Sequence, residues 1–257
     1  MGSAERGPNL SSSIPHPPHN RAHHHVEAGL RTGPLRLHLA FDLTAPWTVL
    51  FGSSGSGKST LLRAIAGLFP KAFIHFTRCT PNGPQNLQGK HHSTPPQRRN
   101  LAYAPQGSAL FPHLTVLQNI RFPSEVSHHP STPDIPAVLT LFDLNSLAHR
   151  MPRDLSGGER QRVNLARAFA VPEPTLFLLD EPFSGVDRAM RDTLLPRMQQ
   201  HIAQLGVPVL SVTHDVEEAL LLNAEVIRIE QGSVKDQGPA ARVLAEERAA
   251  MLTILNS

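Results

Sequence analysis

The sequence predicts an α/β protein, and three observations carry that expectation. A glycine-rich segment at 52–59 (GSSGSGKS) joins an apolar run at 48–51 to a helical pattern at 59–68. A second apolar run at 175–179 ends in Asp180 and Glu181. The segment 156–159 (SGGE) opens a further helical pattern at 159–170. Alternating strands and helices with glycine turns at the strand ends read as a parallel core whose ligands sit at the carboxyl ends of the strands.

The first of these segments fits G-x-x-x-x-G-K-[ST], with Gly52, Gly57, Lys58 and Ser59 at the fixed positions. Gly52, Ser53, Ser54, Gly55, Ser56 and Gly57 then offer backbone N–H groups to phosphate oxygens. Ser59 and Thr60 start a helix whose positive dipole end points at the same charge. Lys58 is placed to reach β- and γ-phosphates, and the Ser59 hydroxyl suits Mg²⁺. At 180–181, two adjacent carboxylates at a strand end suggest divided labour. Asp180 suits the Mg²⁺ shell, and Glu181 suits orienting or deprotonating an attacking water. Ser156 and Glu159 fit a capping box, while Gly157 and Gly158 leave backbone N–H groups uncovered as a second anion site. One phosphate-binding loop with two phosphate-binding helix ends implies that the second end serves a neighbouring copy of the chain.

With Leu155–Arg162 reading LSGGERQR after such a loop, the chain resembles the ATPase subunit of an ABC (ATP-binding cassette) transporter over about residues 26–245. The resemblance implies a P-loop NTPase core with an antiparallel β portion and an inserted α-helical subdomain. It extends to Gln106 as the Q-loop glutamine, touching Mg²⁺ and the water. Ser184-Gly185-Val186-Asp187 matches the D-loop, with Asp187 tuning the opposite site, and His214 matches the switch histidine that holds the γ-phosphate. The expected ligands are ATP and Mg²⁺. The expected partners are a second copy, an integral membrane permease and, indirectly, an external solute-binding protein, with no nucleic acid. Residues 111–116 (FPHLTV) and 94–99 (TPPQRR) resemble the importer subgroup serving molybdate, sulfate and related solutes. Phe111 fits either a core anchor or a permease contact. An aromatic that stacks on adenine in the family is missing around 30–33, since Phe41 is the first Phe, Tyr or Trp. A C-terminal oxyanion-binding domain is not expected, because the short segment after His214 fits a strand pair around Gln231 and Gly232 and one last helix at 239–255.

The expected organisation is a His/Pro/Ser-rich disordered tail at 1–25, a first core part at 26–106, a helical subdomain at 107–160 and a second core part at 161–257. The tail has no aromatic or alternating pattern, and His16, His19, His23, His24 and His25 belong to it rather than to a metal site. Segments 80–96 and 124–136 read as polar loops. With 40% hydrophobic residues among 257, the chain can bury an ordinary core. A single cysteine, Cys79, excludes an internal disulfide and a cysteine zinc site. A net charge of +3 is too dispersed to argue for nucleic acid. No apolar stretch approaches the ~18 residues of a membrane span, so a cytoplasmic chain is expected, and the resemblance implies that it works peripherally at the inner face of the cell membrane. Two competing classes are weighed. A soluble ABC ATPase acting on nucleic acid or ribosomes usually has paired cassettes, a coiled-coil insertion or cysteine modules, all missing here. A non-catalytic regulator would need a damaged Lys58, Glu181 or His214.

Overall fold

The computed structural model describes residues 23–32, 35–69, 72–80, 83–88, 95–127 and 130–255. Its centre is a six-stranded sheet in the order β10-β9-β3-β8-β7-β6. The strands are β3 (Trp47–Phe51), β6 (Leu101–Ala104), β7 (Leu176–Asp180), β8 (Val209–Val212), β9 (Glu225–Glu230) and β10 (Ser233–Pro239). All neighbours are parallel except β10, which returns on β9 through the expected turn at Gln231 and Gly232. Both faces of this sheet are covered, so its strands are apolar at successive positions rather than alternately. Leu176 and Leu178 point into one core and Phe177 and Leu179 into the other.

One core lies beneath a four-stranded antiparallel sheet in the order β2-β1-β4-β5. Its strands are β1 (His23–Thr32), β2 (Leu35–Leu43), β4 (Phe73–Thr80) and β5 (Gly83–Gln88). Here the pattern does alternate: Val26, Ala28 and Leu30 of β1 are buried against Leu61, Leu62 and Ile65 of α1 (Lys58–Ile65). The second core holds the inserted helices α2 (Val116–Val126) and α3 (Ile135–Leu141), with α4 (Gly157–Phe169) joining them to the sheet. Phe169 of α4 bridges the two parts, with ring centroids 5.0 Å from Phe142 and 4.7 Å from Phe177. The Arg162 guanidinium donates to the Phe142 and Asp143 carbonyls and closes the turn after α3. Buried Asn119 secures the start of the insert, accepting from Phe111 N and donating to the Phe111, Leu114 and Thr115 carbonyls. Phe111 itself packs on Phe122 at 4.4 Å with the Arg167 guanidinium over its ring, which supports its reading as an anchor.

Five expectations change. The tail and the first strand overlap, because β1 begins at His23: His24 is buried and stacks on Phe76, and His25 bonds Asp42 at 2.8 Å. The expected tail otherwise falls at 1–22, outside the described residues. The boundary at 160 cuts through α4, which runs unbroken from the insert into the core because both flanks of the helix are buried. The single last helix is two, α7 (Ala240–Val243) and α8 (Ala245–Leu255). They turn at fully buried Leu244, and Arg228 of β9 holds the corner by bonding the Val243 carbonyl and the Glu247 carboxylate. The loop expected at 124–136 is shortened at both ends by α2 and α3, and the one expected at 80–96 contains β5. The two remaining helices are α5 (Arg188–Leu205) and α6 (Val216–Leu221).

Candidate active site

Four neighbouring parallel strands, β3, β8, β7 and β6, release their chains at the same edge of the sheet, where α/β folds bind ligands. The loop after β3 leads into α1 and its first residue Lys58, and the residues after β6, β7 and β8 include Gln106, Glu181 and His214. They line a cleft of about 460 Å³ together with Gly52, Ser54, Gly55, Gly57, Ser59 and Thr60.

Gly52 is dictated by packing as much as by any ligand. At its φ of 155° a Cβ would sit 2.3 Å from the Ile229 carbonyl oxygen. The loop closes through Ser56 N donating to the Ser53 carbonyl, and Lys58 Nζ bonds the Gly52 and Ser53 carbonyls, both at 2.8 Å, and Ser56 Oγ at 3.3 Å. The ammonium thus lies across the mouth of the loop, on the cleft side. Burial lowers its pKa, opposed by the charges of Glu181 and Asp180.

Asp180 is fully buried at the end of β7. Ser59 Oγ donates to its Oδ1 at 2.8 Å, while Oδ2 has no hydrogen-bond partner. Burial raises its pKa, and the Ser59 bond opposes that. The next residue, Glu181, adopts φ 50°, a conformation side chains rarely hold without support. The support is present. Glu181 N donates to the Val212 carbonyl at 2.9 Å, and the Glu181 carbonyl accepts from Gln161 Nε2 at 3.2 Å and from Ser184 N at 3.2 Å. The carboxylate turns toward the cleft, where Oε2 accepts from Gln106 Nε2 at 3.0 Å and Oε1 lies 3.4 Å from His214 Nδ1. Three residues far apart in the chain therefore meet on one carboxylate.

Other expected residues sit elsewhere. Ser53 and Ser56 shape the loop by holding Lys58. Ser156, Gly157, Gly158 and Asp187 do not line this cleft. Ser156 caps α4 as the sequence implies: its Oγ accepts from Glu159 N at 3.2 Å, and Glu159 Oε2 accepts from Ser156 N at 2.6 Å. That bond also lowers the Glu159 pKa. Gly158 is fixed by close approach, since a Cβ there would be 2.9 Å from the Gly185 carbonyl oxygen. Asp187 caps α5 through Met190 N. Sequence reasoning missed Gln161, buried on α4, which also donates to the Pro182 carbonyl at 3.0 Å. A polar side chain on the buried face of an amphipathic helix was the signal for it. Val212, which also lines the cleft, had none. Among the described residues, no helix is long and apolar enough to cross a membrane.

The ABC transporter family model matches residues 39–184. The molybdenum import ATP-binding protein ModC of Methylococcus capsulatus is 40% identical over 80% of this chain and 58% of its own length. The molybdate/tungstate import ATP-binding protein WtpC of Archaeoglobus fulgidus is 34% identical over 90% of this chain and 93% of its own. The chain thus spans somewhat over half the length of the ModC relatives it matches and nearly all of WtpC. Among solved structures, the dimeric bacterial ABC transporter cassette MJ0796 superposes with a TM-score of 0.68 at 24% identity, over 84% of this chain and 98% of that one, which shows the fold.

Proposed function

The chain belongs to the ABC transporter family, and from that premise we infer that it is the ATP-binding and ATP-hydrolysing subunit of an importer. The observation that carries this reading is the meeting of Gln106, Glu181 and His214 beside Lys58 and Ser59 in one cleft. Glu181 accepts the proton of the attacking water, and Gln106 and His214 hold its carboxylate toward the place where that water stands. Lys58 exchanges its loop carbonyls for phosphate oxygens, and the α1 N-terminus faces the same charge. His214, exposed at the rim, is placed to contact the γ-phosphate. An orphaned, fully buried carboxylate oxygen on Asp180 beside the Ser59 hydroxyl fits a hard divalent cation, so Ser59, Asp180 and Gln106 would hold Mg²⁺. When bound, that ion neutralises charge on the β- and γ-phosphates.

Two copies complete each other's sites. Ser156, Gly157 and Gly158 present a capped helix start away from their own cleft, available to the ATP of the partner, and Asp187 stands at the adjoining α5 start. ATP binding closes the pair and drives an attached permease; hydrolysis reopens it. The relatives' names support molybdate or tungstate as the solute, and an external binding protein would deliver it. The chain then works at the inner face of the cell membrane.

Glu181→Gln tests the core of this reading. The variant should bind Mg-ATP as the wild type does, lose about 10²-fold or more in turnover, and accumulate an ATP-bound dimer on sizing chromatography. Hydrolysis at the wild-type rate would remove Glu181 from its role. Co-purification with a candidate permease, followed by molybdate-dependent ATPase measurement, tests the solute.

A further inference from the structure

Glu218 of α6 is a buried carboxyl that the proposed reaction does not use. It is 4% exposed, Thr213 Oγ1 donates to its Oε2 at 3.0 Å, and its Oε1 has no hydrogen-bond partner. The nearby cation, Arg191 of α5, is bonded to Asp192, Asp215 and Glu217. The other charges that bear on Glu218 are Asp215 in the turn before α6 and Glu181 at the end of β7, both negative. An ionised carboxylate here would be desolvated, half-unpartnered and faced by like charge. Burial accordingly pushes the Glu218 carboxyl up to about 8, so near neutral pH it carries a proton.

The Thr213 hydroxyl that donates to Glu218 also accepts from Asp215 N at 3.1 Å. Thr213 and Asp215 flank His214. A single hydroxyl therefore ties both neighbours of the histidine, and Glu218 fixes the rotation of that hydroxyl. Asp215 separately caps α6 through Glu217 N and Glu218 N, so the helix start does not depend on this contact. We propose that Glu218 is a positioning residue for His214: through Thr213 it sets the turn at 213–215 so that the imidazole stands against Glu181. The proposal rests on reading the cleft as an ATPase site. Deprotonation at high pH would place a buried negative charge against this turn and release it.

The test uses the full chain as wild type, Glu218→Gln, Glu218→Leu and Thr213→Val, with Mg-ATP hydrolysis and thermal melting followed from pH 6.5 to 9.5. Glu218→Leu and Thr213→Val should lower kcat about tenfold or more and leave KM within about twofold, because a misplaced group costs transition-state rather than ground-state binding. Glu218→Gln, a neutral isostere, should keep kcat near the wild-type value at pH 7 and lack the decline expected of the wild type above about 8. Melting supplies the readout independent of turnover. The folded wild type holds a proton that the unfolded chain has released, so its stability should fall with rising pH relative to Glu218→Gln. Folded Glu218→Leu and Thr213→Val with wild-type kcat would overturn the proposal, as would a Gln variant that shares the wild-type alkaline decline. If Glu218→Leu does not melt cooperatively, Thr213→Val decides. A wild type that hydrolyses no ATP sinks the ATPase reading, and this proposal with it; hydrolysis by the wild type confines any failure to Glu218.

Discussion

The His25 imidazole shows how a residue read as tail becomes part of a sheet. Its Nδ1 lies 2.8 Å from Asp42 Oδ1 across the β1–β2 pair, and that bond raises the His25 pKa against the opposing effect of burial. A histidine raised above its unfolded value stabilises the fold fully below about pH 6.5, and the contribution is lost as pH rises through the folded value. Both groups are partly exposed, so solvent screening limits the pair to about 1 kcal/mol at most. Wild type should therefore be more stable than His25→Gln at pH 6 and should lose that margin by pH 9, as read from urea midpoints. An unchanged margin across that range would mean that the pair forms without charge. Gly52 teaches the same lesson in the other direction. The motif assigns it to phosphate approach, yet the nearby Ile229 carbonyl alone would forbid any side chain.

At the scale of elements, the start of α4 carries one observed role and one proposed role. Its capping box accounts for Ser156 and Glu159 without any ligand, and the proposal adds a contact of its glycine start with a partner's phosphate. Two substitutions separate the roles. Ser156→Ala removes the cap alone, costing about 1 kcal/mol and therefore about 2–4 °C in a chain of this size, with ATP-dependent dimerisation retained. Ser156→Arg removes the same cap and also fills the shared pocket, so its melting loss should match while dimerisation and hydrolysis collapse. Equal turnover in the two variants, measured beside their melting curves, would leave capping as the whole role. The helix was legible because a capping box is a four-residue pattern. Its continuation was legible as well, from the helical pattern at 159–170; that the same helix belongs to the core as well as to the insert was not, since tertiary burial has no local mark.

The described residues form two cores on either face of one mainly parallel sheet, and β1 contributes to the one beneath the antiparallel sheet. Composition leads to the expectation that residues 1–22, the part of the 1–25 tail outside the described residues, are dispensable. Deleting them should leave the melting temperature unchanged, whereas deletion through His25 also removes the His24–Phe76 stack, the His25–Asp42 bond and the first rungs of β1. The longer deletion should lower melting by at least about 2 °C. Equal melting of the two truncations would return the first strand residues to the tail.

What the sequence determined by itself is whatever lies within a few residues. The strand, loop and helix around Lys58, the carboxylate pair ending β7 and the cap of α4 are all set by backbone rules that act over one turn or one strand. The tertiary structure decided what meets. Gln106, Glu181 and His214 follow three different strands, and they converge only because the order β3-β8-β7-β6 sets those strand ends side by side. It likewise decided that Gln161 supports the left-handed Glu181, that Asp180 keeps an unpartnered oxygen, and that Glu218 lies buried against Thr213. Burial is a sum over neighbours distant in the chain. Short-range spacing therefore names the residue types able to do the chemistry, and packing chooses which are placed to do it.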